Sequence, residues 1–228
     1  MKREFIPRPL RACLWALLAI LVAGVYYIAL GCPATFRQEF RRAEKAHMVG
    51  PSQIVDQINE RQYSEFDKML VGETEHGICF FGKYIANKEN LKDRWTDYRF
   101  EYVEKTGDVT FAAAPHFAGY WGLYSLPIYV FTEADSATRC TISIHSTGTQ
   151  GLDSFDETFQ AEAERHPNGF FRFILTGSED GQRLAMTNLS TLCMDGAQFD
   201  GNHAQIQIKL FDANGNELLT KDLHLGSV

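Results

Sequence analysis

The chain has 228 residues, of which 45% are apolar and 22% charged, a composition that belongs to folded domains and not to disordered ones. Its formal net charge is −7, yet the first 11 residues carry +3 and leave −10 on the remainder. So acidic a body repels phosphate backbones, which argues against nucleic acid as a partner.

Residues 1–11 form a basic tail. After Arg11 the next charge is Arg37, so residues 12–36 make an uncharged run of 25. About 20 apolar residues of helix cross the hydrocarbon core of a bilayer, and this run is long enough to do so with some tilt. Trp15 near one end, with Tyr26 and Tyr27 towards the other, fits an interfacial aromatic belt. A cleavable export signal has a shorter apolar stretch and a better small-residue site than Cys32-Pro33-Ala34. The run therefore predicts a retained single-pass anchor. Ile28-Ala29-Leu30-Gly31-Cys32 resembles a bacterial lipoprotein processing site, which makes Cys32 a candidate lipid attachment residue. It departs from that pattern at Ala29, where leucine is usual, and at Pro33.

Four basic residues precede the run (Lys2, Arg3, Arg8, Arg11) and four follow it (Arg37, Arg41, Arg42, Lys45), so the positive-inside count is tied. A short basic tail before an apolar run is the layout of an export signal, which places the tail inside and the domain outside the cytoplasm. The basic cluster after the run could equally hold a cytoplasmic helix against anionic lipid.

Beyond the anchor, residues 37–62 read as a helical juxtamembrane stalk. Phe36, Phe40 and Ala43 fall at helical spacing. Gly50-Pro51 breaks the pattern, and Ser52 is placed to cap a second short helix, SQIVDQINE. Residues 63–125 read as β-rich. KMLVGE and ICFFGKYI flank a turn at Thr74–Gly77, YRFEYVE alternates, and Thr106-Gly107-Asp108 turns into VTFAAA. ANKENLKDRW is polar and reads as a loop or a single helical turn.

Residues 126–228 repeat the theme. LPIYVFTE runs through a turn at Glu133–Ser136 into TRCTISIHS. ETFQAEAER and GFFRFILTG surround a turn at His166–Gly169, and RLAMTNL follows as a further strand. Ile206, Ile208 and Leu210 alternate with Gln205, Gln207 and Lys209, and Asn214-Gly215 supplies hairpin turn chemistry. The fold class expected is mainly β: a transmembrane helix and helical stalk followed by an antiparallel domain, a sandwich with an immunoglobulin-like layout in its last hundred residues.

Chemistry is sparse. None of the seven histidines pairs with another at ligand spacing, and no C-x-x-C or H-E-x-x-H occurs, so neither metal nor cofactor is expected. No phosphate-binding glycine loop and no G-x-S-x-G elbow is present. Cys79, Cys140 and Cys193 are an odd set for a domain outside the cell. They read as reduced core residues, with one bridged pair as the other option. Ser190-Thr191-Leu192-Cys193 resembles in part the nucleophile motif of the sortases, membrane-anchored β-barrel transpeptidases. It lacks the two residues that separate leucine from cysteine there, and no arginine follows Cys193. Cys193 is therefore expected on a strand, facing the core.

The densest aromatic stretch is His116–Tyr124, where Tyr120, Trp121 and Tyr124 are the candidate binding residues. Rings with polar handles bind glycans or partner proteins, and Gly119 and Gly122 would let a ligand approach closely. The functional expectation is a membrane-anchored binding module for a protein or glycan ligand. The alternatives are a cysteine-dependent envelope enzyme and a membrane-tethered cytoplasmic adaptor.

Overall fold

A computed structural model describes residues 8–29, 35–58, 66–86, 95–114, 124–177, 179–195 and 201–226. Among these are three helices and eleven strands, and every strand pair is antiparallel. The chain divides into two compact units, residues 1–49 and 50–228.

The first unit holds α1 (Arg8–Ala29) and α2 (Phe36–Ala46). Within α1, the 19 residues Pro9–Tyr27 are long and apolar enough to cross a membrane, with a mean hydropathy of 1.8. Thr35 caps α2: its hydroxyl accepts from the Gln38 N–H while its own N–H donates to the Gln38 side chain, each at 3.2 Å. Phe40 and Glu44 are buried, and Arg41 pairs with Glu44 at 2.7 Å. The helix ends at Ala46, four residues before Gly50. Met48 turns the chain there with φ of 57°.

Among its described residues, the second unit has one helix, and its other regular elements are β-strands. Strands β1 (Gln53–Ile58), β2 (Phe66–Glu73), β3 (Gly77–Ala86) and β4 (Trp95–Glu104) form one sheet in chain order. A second sheet has the order β5 (Val109–Ala113), β6 (Tyr124–Thr132), β9 (Phe170–Gly177). The third has the order β11 (Glu217–Gly226), β10 (His203–Phe211), β7 (Arg139–Gln150), β8 (Asp153–Glu164).

Two expectations are corrected. SQIVDQINE does not form a helix: residues 53–58 are strand β1, paired with β2. Ile54, Val55 and Ile58 suit either period, but all three are β-branched next to a backbone that β2 can satisfy, and branched side chains favour the extended chain. RLAMTNL is not a strand either. It lies in α3 (Asp180–Asp195), which carries Cys193 as well. Ala185, Leu189 and Leu192 fall at i, i+4 and i+7, with Met186 beside them, and all four are buried.

The turns stand where expected. Thr74 N–H donates to the Gly77 carbonyl at 2.8 Å, and Gly107 and Gly215 adopt φ of 67° and 83°. The turn at His166–Gly169 passes the chain from one sheet to another, since β8 and β9 belong to different sheets and share the single bridge Arg165–Phe171.

The three-stranded sheet feeds two cores by alternation. Leu126, Ile128 and Val130 of β6 join one cluster with Cys140, Ile142, Ile144, Ile206, Ile208 and the buried face of α3. Tyr129 and Phe131, pointing the other way, join a second cluster with Val55, Met69, Val71, Ile78 and Phe80. Rings hold that second cluster: Tyr129 lies 5.6 Å from Phe80 and 5.6 Å from Phe170, centroid to centroid. Such pairs add about 0.5–1.5 kcal/mol each beyond their buried area.

Candidate binding surface on the four-stranded sheet

Strand β7 alternates buried and half-buried positions from Arg139 to Ser146. With Cys140, Ile142, Ile144 and Ser146 turned inward, Thr141, Ser143, His145 and Thr147 are left on the outer face. Register extends this face across the sheet, since residues directly opposite in antiparallel strands share a side. Ser143 stands between Gln160 of β8 and Gln207 of β10, and Gln207 stands opposite Asp222 of β11. His145 is flanked in the same way by Thr158 and Gln205, with His224 beyond. The outcome is a sheet face of hydroxyls, amides, carboxylates and imidazoles. It carries a shallow depression of about 470 Å³ over Thr141, Ser143, Gln160, Glu162, Gln207 and Lys209.

Neighbouring side chains already orient one another. The His145 ring meets Asp156 at 2.7 Å, Gln207 donates to Asp222 at 3.0 Å, and the Thr147 hydroxyl lies 2.9 Å from the His203 ring. Arg139 sits over the Phe211 ring at 4.7 Å. Donors and acceptors of both signs on a flat, wet face suit a polar ligand held by many hydrogen bonds, each of modest worth, about 0.5–1.5 kcal/mol.

Inside the domain several polar groups are committed to structure. The Ser146 hydroxyl donates to the Ala185 carbonyl at 3.3 Å and accepts from the Asn188 amide at 3.2 Å, and Ser190 donates to the Ala114 carbonyl at 3.2 Å. The Cys193 thiol is pushed up to about 12 by burial, which outweighs a hydrogen bond with the Ala113 backbone. It is a thiol, not a thiolate, at neutral pH, and the thiolate is the nucleophile. Cys193 itself is half-buried, Cys79 and Cys140 are reduced and fully buried, and burial alone pushes Cys140 to about 12. Asp56 on β1 accepts from the buried Tyr129 hydroxyl at 2.9 Å and from Arg172 at 3.0 Å. That trio ties β1 to the three-stranded sheet. Burial first, then the Asp56 charge, holds the Tyr129 hydroxyl well above its ordinary range.

Of the residues singled out in sequence, Cys32, Tyr120 and Trp121 lie outside the described residues. Tyr124 is described only in its backbone, as the first residue of β6, paired with Gly177. Among the described residues no group of three His, Cys, Asp or Glu side chains is placed to hold a metal ion. The outer sheet face was not flagged in sequence. Gln205, Gln207 and Lys209 were seen as the polar half of an alternation, and only the strand order brings them beside Ser143 and Gln160. Compared with known proteins, the chain matches no protein-family model, no curated protein and no solved structure.

Proposed function

We propose that the chain is a single-pass membrane protein whose β-rich domain lies outside the cytoplasm and acts as a binding module rather than as an enzyme. The observation that carries the anchor is the exposure of α1 on all sides: Trp15, Ile20, Val25 and Tyr26 are 68%, 71%, 58% and 65% exposed. Each large apolar side chain removed from water is worth about 1.5–3 kcal/mol, and a helix apolar all round has no such gain unless lipid surrounds it. The anchor is retained rather than cut at Cys32, and the basic tail stays inside.

The alternation of β5, β6 and β9 between two cores supports reading the domain as stacked sheets, a sandwich. Helix α3 departs from an immunoglobulin layout in the last hundred residues. Partner contact is assigned to the outer face around Ser143, Gln160 and Gln207, for a protein or glycan ligand. Tyr120, Trp121 and Tyr124 form a second contact candidate. The half-buried, protonated Cys193 thiol speaks against the cysteine enzyme.

Two measurements test this reading. A membrane-impermeant thiol reagent should label Asn214→Cys, in the exposed β10–β11 turn, on intact cells of a variant stripped of native cysteines. Labelling only after lysis makes the protein a cytoplasmic adaptor. A photo-crosslinker at Gln207 should capture a discrete partner, and Gln160→Arg should abolish the capture. Capture of nothing above background, or labelling of Cys193 by a thiol-directed activity probe at neutral pH, would refute the binding module.

A further inference from the structure

We propose that the outer face of α2 is a contact surface for anionic lipid headgroups. The inference rests on the anchor reading of α1. Successive residues turn about 100° around a helix, which puts Arg37, Arg41, Lys45, Gln38 and Arg42 on one continuous arc of about 140°. Arg37, Arg41, Arg42 and Lys45 are all exposed, while Phe40, farther round the helix, and Glu44, just outside the Arg37 edge of the arc and paired with Arg41, are buried. The arc carries four cations and no acid.

Its charge contrasts with the rest of the chain. With +3 in the first 11 residues and +2 in α2, the residues after α2 carry −12. Cations drawn at random from so acidic a protein would not collect on one helical stripe.

Position supplies the partner. Six Cα–Cα steps lead from Ala29, where α1 ends, to Thr35, the cap of α2. Fully extended they reach about 20 Å, so the stripe starts within chain reach of the headgroup layer that borders the span. Electrostatic attraction to a charged leaflet decays over a Debye length of about 8 Å at physiological salt, so α2, 11 residues and about 16 Å long, brings the whole stripe into that layer by lying along the surface. The apolar side of α2 is already buried, so the contact is electrostatic and the helix does not insert.

The geometry gives the basic cluster after the span a role of its own, independent of which leaflet it meets. It thereby accounts for the tied count of flanking cations.

The test uses the full chain in vesicles of phosphatidylcholine alone or mixed with phosphatidylglycerol. A fluorophore on Ala46→Cys, with native cysteines replaced, reports quenching by nitroxide-headgroup lipid. Quenching should be severalfold stronger in the anionic vesicles and should fall to the neutral-vesicle level as salt is raised to about 0.5 M. The combined change Arg37→Gln, Arg42→Gln, Lys45→Gln leaves the Arg41–Glu44 pair intact. It should remove the anionic component while the circular dichroism spectrum stays that of the parent. Equal quenching in both vesicles, or a variant that keeps the anionic component, overturns the inference. If the chain stays in the vesicles through a salt wash, the anchor stands and the headgroup contact alone is lost. A chain that washes off refutes both.

Discussion

At the scale of single residues the least expected position is Met48. Its N–H donates to the Lys45 carbonyl at 3.2 Å, and the Val49 N–H reaches back to Glu44 at 2.9 Å. These are the two bonds of a helix terminator whose left-handed residue is usually glycine. A side chain in that conformation costs about 1–2 kcal/mol. Met48 is 93% exposed, so its side chain recovers nothing by packing. Met48→Gly should therefore strengthen the last turn of α2 by about 0.5–1 kcal/mol, a two- to fivefold rise in hydrogen-exchange protection of the Met48 and Val49 amides. Unchanged or lower protection would show that the turn carries no strain. Nothing in the sequence announces this end: Gly50-Pro51 is the obvious stop, and a methionine at positive φ has no local signature.

At the scale of elements, β11 is an outer strand of its sheet with one side open to pairing. Lys221 stands opposite Ile208, on the core side of the strand, and its amine donates to the Thr106 and Val109 carbonyls at 3.0 and 3.3 Å. An inward-pointing charge keeps an edge from accepting a second copy, because pairing would bury the ammonium. Lys221→Leu should raise the association state above the parent's at equal concentration, read by light scattering in detergent. A variant as monodisperse as the parent would assign Lys221 to turn-holding only.

The legible elements are those whose two faces differ. Ile206, Ile208 and Leu210 against Gln205, Gln207 and Lys209 announce a half-buried strand, and Cys140, Ile142 and Ile144 do the same. QIVDQI is ambiguous because its apolar spacing serves both periods, and only pairing with β2 decides it. Helix α3 is legible in its composition, although RLAMTNL on its own also fits a strand. Residues 180–195 contain one glycine, at the second position, and no proline, and no strand pair could turn within them. The outer sheet face was not legible, because which polar residues become neighbours depends on strand order, a long-range property.

At the scale of the whole molecule, three groups packed into the cores make the fold sensitive to base. Cys140 and Cys193 are pushed up to about 12 from 9.0, and Tyr129 stands well above 10.0. Each stays protonated in the fold while the unfolded chain releases its proton, so the stability they contribute is intact at neutral pH. It is lost from about pH 9 for the thiols and about pH 10 for the phenol. Between pH 8 and pH 10.5 the loss should come to about 2–5 kcal/mol, seen as a falling urea midpoint. Tyr129→Phe should lower stability at pH 8 by about 1–3 kcal/mol, since Asp56 loses a donor, and should make the decline above pH 10 shallower. A midpoint indifferent to pH up to 10.5 would contradict the burial of these groups. Strand β6 bears on how such losses spread. Ile128 serves one cluster and its neighbour Tyr129 the other, on the same few residues of backbone. Truncating both should therefore give a double-mutant cycle that does not close to zero, although the two side chains point apart. Neither core can melt without releasing the strand that the other packs on, so damage to one is felt as a loss of stability by the whole domain.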